Sequence, residues 1–272
     1  GTQNVAVGSL ALDANTTADG NVAVGHSALG GVSTGQQNTA IGTAALGGTN
    51  GSNNVAGGFY SQLLNSTGGN NVSLGHKSLY TNSTGSNNVA LGHEALRLNT
   101  ASNSVAIGFQ AADSTTTGVT AVGYHALGAN TTGPANTAFG TYALSSNTVG
   151  QSNTAVGSSA LGNNTTAHYN TAVGNNCLVA NTVGTQNTAV GHDALNDNTQ
   201  GDYNVAMGSN ALSKITTAND CTAVGSAALA LNTANNNSAF GRSALNQNTT
   251  GTSNVAVGFE ALKANTSANN NV

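Results

Sequence analysis

The chain has 272 residues, and only 5% of them are charged: five Lys plus Arg against nine Asp plus Glu. No run of basic residues exists, which disfavours nucleic acid and anionic membranes as partners. Hydrophobic residues make up 38% of the chain and recur at fixed intervals, so the low charge does not indicate disorder. No apolar run is long enough to span a bilayer, and we expect no membrane insertion.

A repeat with a fixed period organises the whole chain. The first copy is Asn4-Val5-Ala6-Val7-Gly8, and similar phrases, each closed by a glycine, follow to Gly258. Of the fifteen intervals between the closing glycines, eleven are 17 residues, three are 16 and one is 15. Such a period is typical of a solenoid. We therefore predict one continuous repeat region over residues 1–272, and we expect it to be a fragment of a longer fibre chain.

Each period contains two stretches that alternate with turn residues. Before the glycine, Val or Thr stands at the third position, Ala at the second and a larger apolar residue at the first, which predicts a short strand that ends at a bend. After the glycine comes an Ala-Leu pair, and then Asn-Thr turn chemistry such as Asn130-Thr131-Thr132-Gly133. We predict two short strands and two bends per coil, and hence an all-β, parallel β-solenoid of about 16 coils.

The leucine four residues after each glycine is the predicted core. It recurs in fourteen of sixteen coils. The core leucines that we single out are Leu12, Leu29, Leu96, Leu144, Leu195 and Leu262.

Two coils depart from the pattern. Around Val55–Gln62 the apolar residue before the glycine and the later Leu are both lost, and we expect Phe59, Leu63 and Leu64 to refill the space. Between Gly108 and Gly123 the period is two residues shorter. We expect a local bend or a thin core there and no domain boundary.

The phrase Asn103-Ser104-Val105-Ala106-Ile107-Gly108 resembles the head repeat of trimeric autotransporter adhesins. Copies that carry Ala-Leu and Asn-Thr-Thr-Gly are also similar to repeats of phage tail-fibre-type proteins. The resemblance covers essentially the whole chain, although the adhesin head repeat is shorter than 17 residues. It implies a left-handed parallel β-roll wound as a homotrimer around one axis, and it carries no catalytic residues.

The alanine row, two residues before each glycine, lies on the strand face opposite to the Val/Thr and apolar positions. A solvent-facing row should be polar and variable, yet this one is Ala in fifteen of sixteen coils. We interpret this as close approach of a neighbouring chain and predict interchain contacts at Ala106, Ala155, Ala172 and Ala189. The alternative is that Ala merely fits a tight bend.

Four histidines directly follow a closing glycine: His26, His76, His93 and His192. His76 and His93 should stack on successive coils about 5 Å apart. Two imidazoles are too few for a structural zinc site without further ligands, so we predict an inert surface row and no metal. No nucleophile–base constellation stands apart from the repeat. We predict no enzyme activity and no cofactor.

The sequence favours a structural or adhesive fibre: the shaft or elongated head of a phage tail fibre or of a bacterial surface filament. Its location would be extracellular, on a cell-surface appendage or a virion tail. Partners would be two further copies of the chain, and a host receptor or glycan would be bound through regions outside this fragment. The alternative is an ice-binding β-solenoid that uses the threonine rank at Thr16, Thr131, Thr165 and Thr249.

Overall fold

The computed structural model describes residues 1–272, which form two compact units, Gly1–Ala135 and Asn136–Val272. Both units are parallel β-solenoids with a period of about 17 residues, and each contains eight three-residue strands. The protein is therefore all-β, as predicted, and no helix long and apolar enough to cross a membrane is present. The single repeat region over 1–272 stays a prediction.

Within each unit the strands pair in parallel, in chain order and in register, so that Thr154, Ala155 and Val156 lie beside Thr171, Ala172 and Val173. The strands of the first unit are β1 Val5–Val7, β2 Val22–Val24, β3 Thr39–Ile41, β4 Val55–Gly57, β5 Val72–Leu74, β6 Val89–Leu91, β7 Val105–Ile107 and β8 Thr120–Val122. Those of the second unit are β9 Thr137–Phe139, β10 Thr154–Val156, β11 Thr171–Val173, β12 Thr188–Val190, β13 Val205–Met207, β14 Thr222–Val224, β15 Ser238–Phe240 and β16 Val255–Val257.

The closing glycine is required by the backbone. Gly157 has φ 135°, a conformation that side chains disfavour, and a Cβ there would collide with the carbonyl group of Gly174 in the next coil. The stacking of successive coils therefore selects glycine at this position.

The Ala-Leu stretch is not the second strand that the sequence predicts. It is a run of turns in which every second residue has positive φ, such as Ser159 at 56° and Leu161 at 51°. The amide of Ala160 bonds back to the carbonyl of Gly157 at 3.3 Å, while the amide of Leu161 reaches Cys177 in the next coil at 3.0 Å. Successive backbone amides of this stretch thus form one hydrogen bond within the turn and one to the next coil.

Leucine in this left-handed conformation costs roughly 1–2 kcal/mol. Full burial of a leucine side chain is worth about 1.5–3 kcal/mol, which offsets that cost. Leu29, Leu96, Leu144 and Leu195 are completely buried, which confirms them as core. Leu12 is partly buried, whereas Leu262 is exposed, which differs from the prediction that it belongs to the core.

Two rows of buried asparagine line the rest of the interior. The first row lies four residues before the glycine. There the backbone amide of Asn170 donates to Oδ1 of Asn153 at 2.9 Å, and the backbone amide of Asn187 donates to Oδ1 of Asn170 at 2.9 Å. In the second row, seven after the glycine, Nδ2 of Asn181 donates to the carbonyl of Gly184 at 2.9 Å, which also accepts from Asn170. The buried asparagines therefore form an internal coil-to-coil ladder.

The departing coil at β4 is filled differently from our prediction. Phe59 and Leu64 are exposed, and Gln62 itself lies fully buried in the slot that leucine occupies elsewhere. By contrast, β7 and β8 pair in register across the shortened period, so that no domain boundary lies there.

Candidate functional site

The alanine row points into the chain's own interior. Ala106, Ala155, Ala172 and Ala189 have no exposed surface in a single chain, so the prediction that they contact a neighbouring chain is wrong. The sequence analysis took the solvent side of the strand to be the alanine side. In the fold, alanine is selected because the coil is narrow and the leucine and asparagine rows fill its interior, which is close to the alternative of a tight fit.

The opposite face of each strand is therefore the outer surface. It carries two rows: the Val/Thr row, three residues before each glycine, and the apolar row, one before it. Members of the apolar row are conspicuously exposed, for example Phe139 (52%), Met207 (45%) and Phe240 (42%). Residues one and three before the glycine lie on the same face of the strand, and this face points away from the interior. Large side chains at these positions are therefore exposed.

Neither outer row contains a charged residue in any of the sixteen strands. In the apolar row only Gly57 lacks an apolar side chain, and the remaining members are Val, Ile, Leu, Met or Phe. Eight strands at about 4.8 Å spacing, with two side chains about 7 Å apart, give each unit an uncharged strip on the order of 400 Å². We call it the apolar strip after its apolar row; in the second unit the other row carries Thr or Ser on six of the eight strands. Patches of that size on soluble proteins commonly mark interaction sites.

Polar residues border the strip on one side. Five residues before the glycine, the second unit carries Ser152, Tyr169 and Gln186 at positive φ, and the first unit carries Asn70 and Asn87. An uncharged apolar centre beside a polar border is the composition found in protein–protein interfaces. The strip can therefore associate with another apolar surface, and it has no groups for acid–base chemistry.

The histidines fall in the row directly after the glycine. His76 and His93 stack with ring centroids 4.8 Å apart, which confirms the predicted spacing. His26 and His192 have no histidine on adjacent coils. The sequence analysis missed the aromatic residues that extend the stack, namely Phe59, Phe109 and Tyr124, although the 17-residue period places all of them in one row.

The threonine rank proposed for ice binding is engaged within the chain. The hydroxyl of Thr165 donates to the carbonyl of Thr182 at 3.2 Å, and the hydroxyl of Thr249 donates to the carbonyl of Thr266 at 2.9 Å. These donors stabilise the coil-to-coil ladder. The rank therefore offers few free hydroxyl protons to an ice lattice.

The two cysteines, Cys177 and Cys221, are buried and free. Burial raises the pKa of the Cys177 thiol to about 12, so it is neutral and unreactive at physiological pH. Neither cysteine is part of a candidate site.

Comparison with known protein-family models and with curated proteins finds no match to this chain.

Proposed function

We propose that this chain is a structural and adhesive element of an extracellular fibre, assembled as a homotrimer through the outer apolar strip. The observation that carries the proposal is the complete absence of charge from both outer rows beside the exposure of residues such as Phe139 and Met207. A surface that stayed in water would gain solubility from charge at some of these positions. The strip therefore fits a surface that is covered by further copies of itself.

The resemblance of Asn103–Gly108 to the head repeat of trimeric autotransporter adhesins supports three chains rather than two, and a left-handed winding. Three-fold closure around one axis buries one face of every chain and leaves no unpaired surface. The regular coil also supports a mechanical role, since each coil adds about 4.8 Å of rise. The fibre would be a bacterial surface filament or part of a virion tail.

The test is the mass of the purified chain in solution, measured by light scattering and native mass spectrometry. We expect three chains. The variant Val156→Lys with Val190→Lys places two charges per chain in the apolar row, and we expect monomers that retain the circular dichroism spectrum of the solenoid. Desolvating unpaired charges in an interface is costly, which is why association should be lost.

A matched control uses the same substitution on another surface. Val149 and Val183 are also exposed valines two coils apart, but they lie in the loop after the asparagine turn. Val149→Lys with Val183→Lys should leave the trimer intact. A parent chain that is monomeric would refute the trimer, and an equal response of both variants would refute the assignment of the face. An experimental structure of the assembly would establish its handedness.

Ice binding is a second candidate function, and it is based on a threonine row other than the one that the sequence predicted. Thr137, Thr154, Thr171 and Thr188 occupy the outer Val/Thr row on four consecutive in-register strands. A monomeric chain with thermal hysteresis that is abolished by Thr171→Tyr would favour this candidate over the fibre. A trimer without hysteresis would exclude it.

A further inference from the structure

The post-glycine row of the first unit contains a stack of five rings, Phe59, His76, His93, Phe109 and Tyr124. The two imidazoles are in its centre, with Phe59 5.5 Å from His76 and Phe109 5.0 Å from His93. The rings lie within 15° of parallel at each of these steps. Both imidazoles are thus held face to face within the row.

A carboxylate completes the cluster. Glu94 follows His93 in the chain, and its Oε2 lies 3.9 Å from Nδ1 of His93. One ring nitrogen from each histidine and one carboxylate oxygen of Glu94 all lie within 4.8 Å of one another. The sequence analysis rejected a metal site because two imidazoles are too few, and it did not recognise this third ligand.

A second observation concerns a ring nitrogen of His76. Nδ1 of His76 is shielded from solvent and has no hydrogen-bond partner. A buried polar atom without a partner costs free energy and needs an explanation, of which an absent ion is one. This observation is independent of the proximity of the three ligands.

Glu94 is suited to act as an anionic ligand. Gln110 donates a hydrogen bond to its Oε2 at 2.7 Å, and Nε of Arg97 lies 3.8 Å from the same oxygen. Arg97 forms a two-point ion pair with Asp113, at 2.8 and 3.0 Å, so that its positive charge is balanced elsewhere. The contacts to Glu94 all use Oε2, so the carboxylate keeps its second oxygen for an additional partner.

We propose that His76, His93 and Glu94 bind a divalent transition-metal ion of the Zn²⁺ class, with the remaining coordination position open to water. Two imidazoles and one carboxylate are an established three-ligand set for zinc, and imidazole also suits copper and nickel. Metal–nitrogen distances of about 2.0–2.1 Å require the two ring nitrogens to approach to roughly 3.4 Å. The His93 side chain is 44% exposed, so it can tilt towards its neighbour without disturbing the core.

The site lies on a single chain and does not depend on the fibre proposal. The chain itself provides a matched control in the second unit. His192 and Asp193 occupy the equivalent two positions, with Nδ1 and Oδ2 3.1 Å apart, but Asn175 and Ser209 stand on the adjacent coils where a second histidine would be needed. A histidine–carboxylate pair without the stacked imidazole should bind far more weakly.

The experiment is titration of the tag-free, chelator-treated chain with Zn²⁺ by calorimetry at pH 7.5, with elemental analysis of the dialysed complex. We expect one Zn²⁺ per chain with a dissociation constant in the micromolar range. His93→Ser should weaken binding at least 10-fold, and serine is the natural residue at this position in other coils, for example Ser158. Glu94→Gln should weaken it about 10-fold, and His192→Ser should leave it unchanged.

Two-dimensional NMR of ring-labelled histidines provides a second measurement that needs no variant. Zn²⁺ should shift the signals of His76 and His93 and leave those of distant histidines such as His26 and His192 in place. Absence of binding at 1 mM Zn²⁺ would overturn the proposal. So would unaltered binding by His93→Ser, or equal shifts at all six histidines.

Discussion

The side chains that fill the interior of the coils are apolar in one region of the molecule and polar in another. Coils around β10 and β11 use Ala160, Leu161 and Ala172, and all three are completely buried. In the coils around β4 and β5, Ser61, Gln62 and Ser73 occupy the equivalent slots, and they too are completely buried. The backbone and the register are the same in both regions. The comparison shows that the coil specifies the volume of each slot, while polarity is free to vary if every polar atom finds a partner.

The partners in the polar region come from within the cluster. Nε2 of Gln62 donates to Oγ of Ser73 at 2.8 Å and to the carbonyl of Val55 at 3.1 Å, and the hydroxyl of Ser61 contacts those of Ser73 and Ser78. A polar network that is fully satisfied can replace apolar packing, whereas a partly satisfied one is costly. The two regions should therefore respond in opposite ways to apolar substitution.

The largest effect is expected in the apolar region, at Leu144. Leu144→Ala leaves a cavity in a fully buried slot and should lower the free energy of unfolding by about 3–4 kcal/mol. Chemical denaturation followed by circular dichroism measures this. The adjacent Ser145 is only partly buried, and Ser145→Ala should change stability by less than about 0.5 kcal/mol. Equal losses in the two variants would contradict the assignment of the leucine row to the core.

Asn170→Ala should have the next largest effect. It removes the acceptor for the amide of Asn187 and the first-row donor to the carbonyl of Gly184, both buried. An unsatisfied buried group costs about 1–3 kcal/mol, so we expect a loss of about 2–3 kcal/mol in the same denaturation assay. The exposed Asn163 is the control, and Asn163→Ala should be neutral. A neutral Asn170→Ala would show that the ladder is dispensable in a regular coil.

Gln62→Leu separates the two kinds of interior. The substitution places the consensus leucine in the polar region but leaves Ser73 and the carbonyl of Val55 without their amide donor, and we expect a loss of about 1–2 kcal/mol. The triple variant Ser61→Ala, Gln62→Leu, Ser73→Ala also removes both serine hydroxyls, so that only the carbonyl of Val55 still lacks its side-chain donor, and it should lose less stability than the single variant. If the triple variant were less stable than the single one, the slots would differ in shape as well as in polarity.

The smallest perturbation is a chemical modification of Cys177, which tests whether reagents reach the interior of the apolar region. Cys177 replaces alanine beside the leucine row, and its pKa of about 12 leaves almost no thiolate at pH 8. Alkylation by iodoacetamide at that pH should be undetectable in the folded protein and complete in denaturant, as measured by mass spectrometry. Rapid alkylation of the native chain would show that this coil opens.

The sequence alone determined the period, the closing glycines and the leucine core. Each of these recurs in all or nearly all coils, and stacking turns a one-dimensional repeat into spatial rows. It did not determine which strand face is internal, because alternation identifies two faces without assigning either to the core. Only the tertiary structure decided this, since the leucine and asparagine rows occupy one side of the strand and leave room for nothing larger than alanine. The turn conformation of the Ala-Leu stretch and the proximity of Glu94 to two histidines likewise depend on left-handed backbone angles, which residue type does not reveal when leucine and glutamate adopt them.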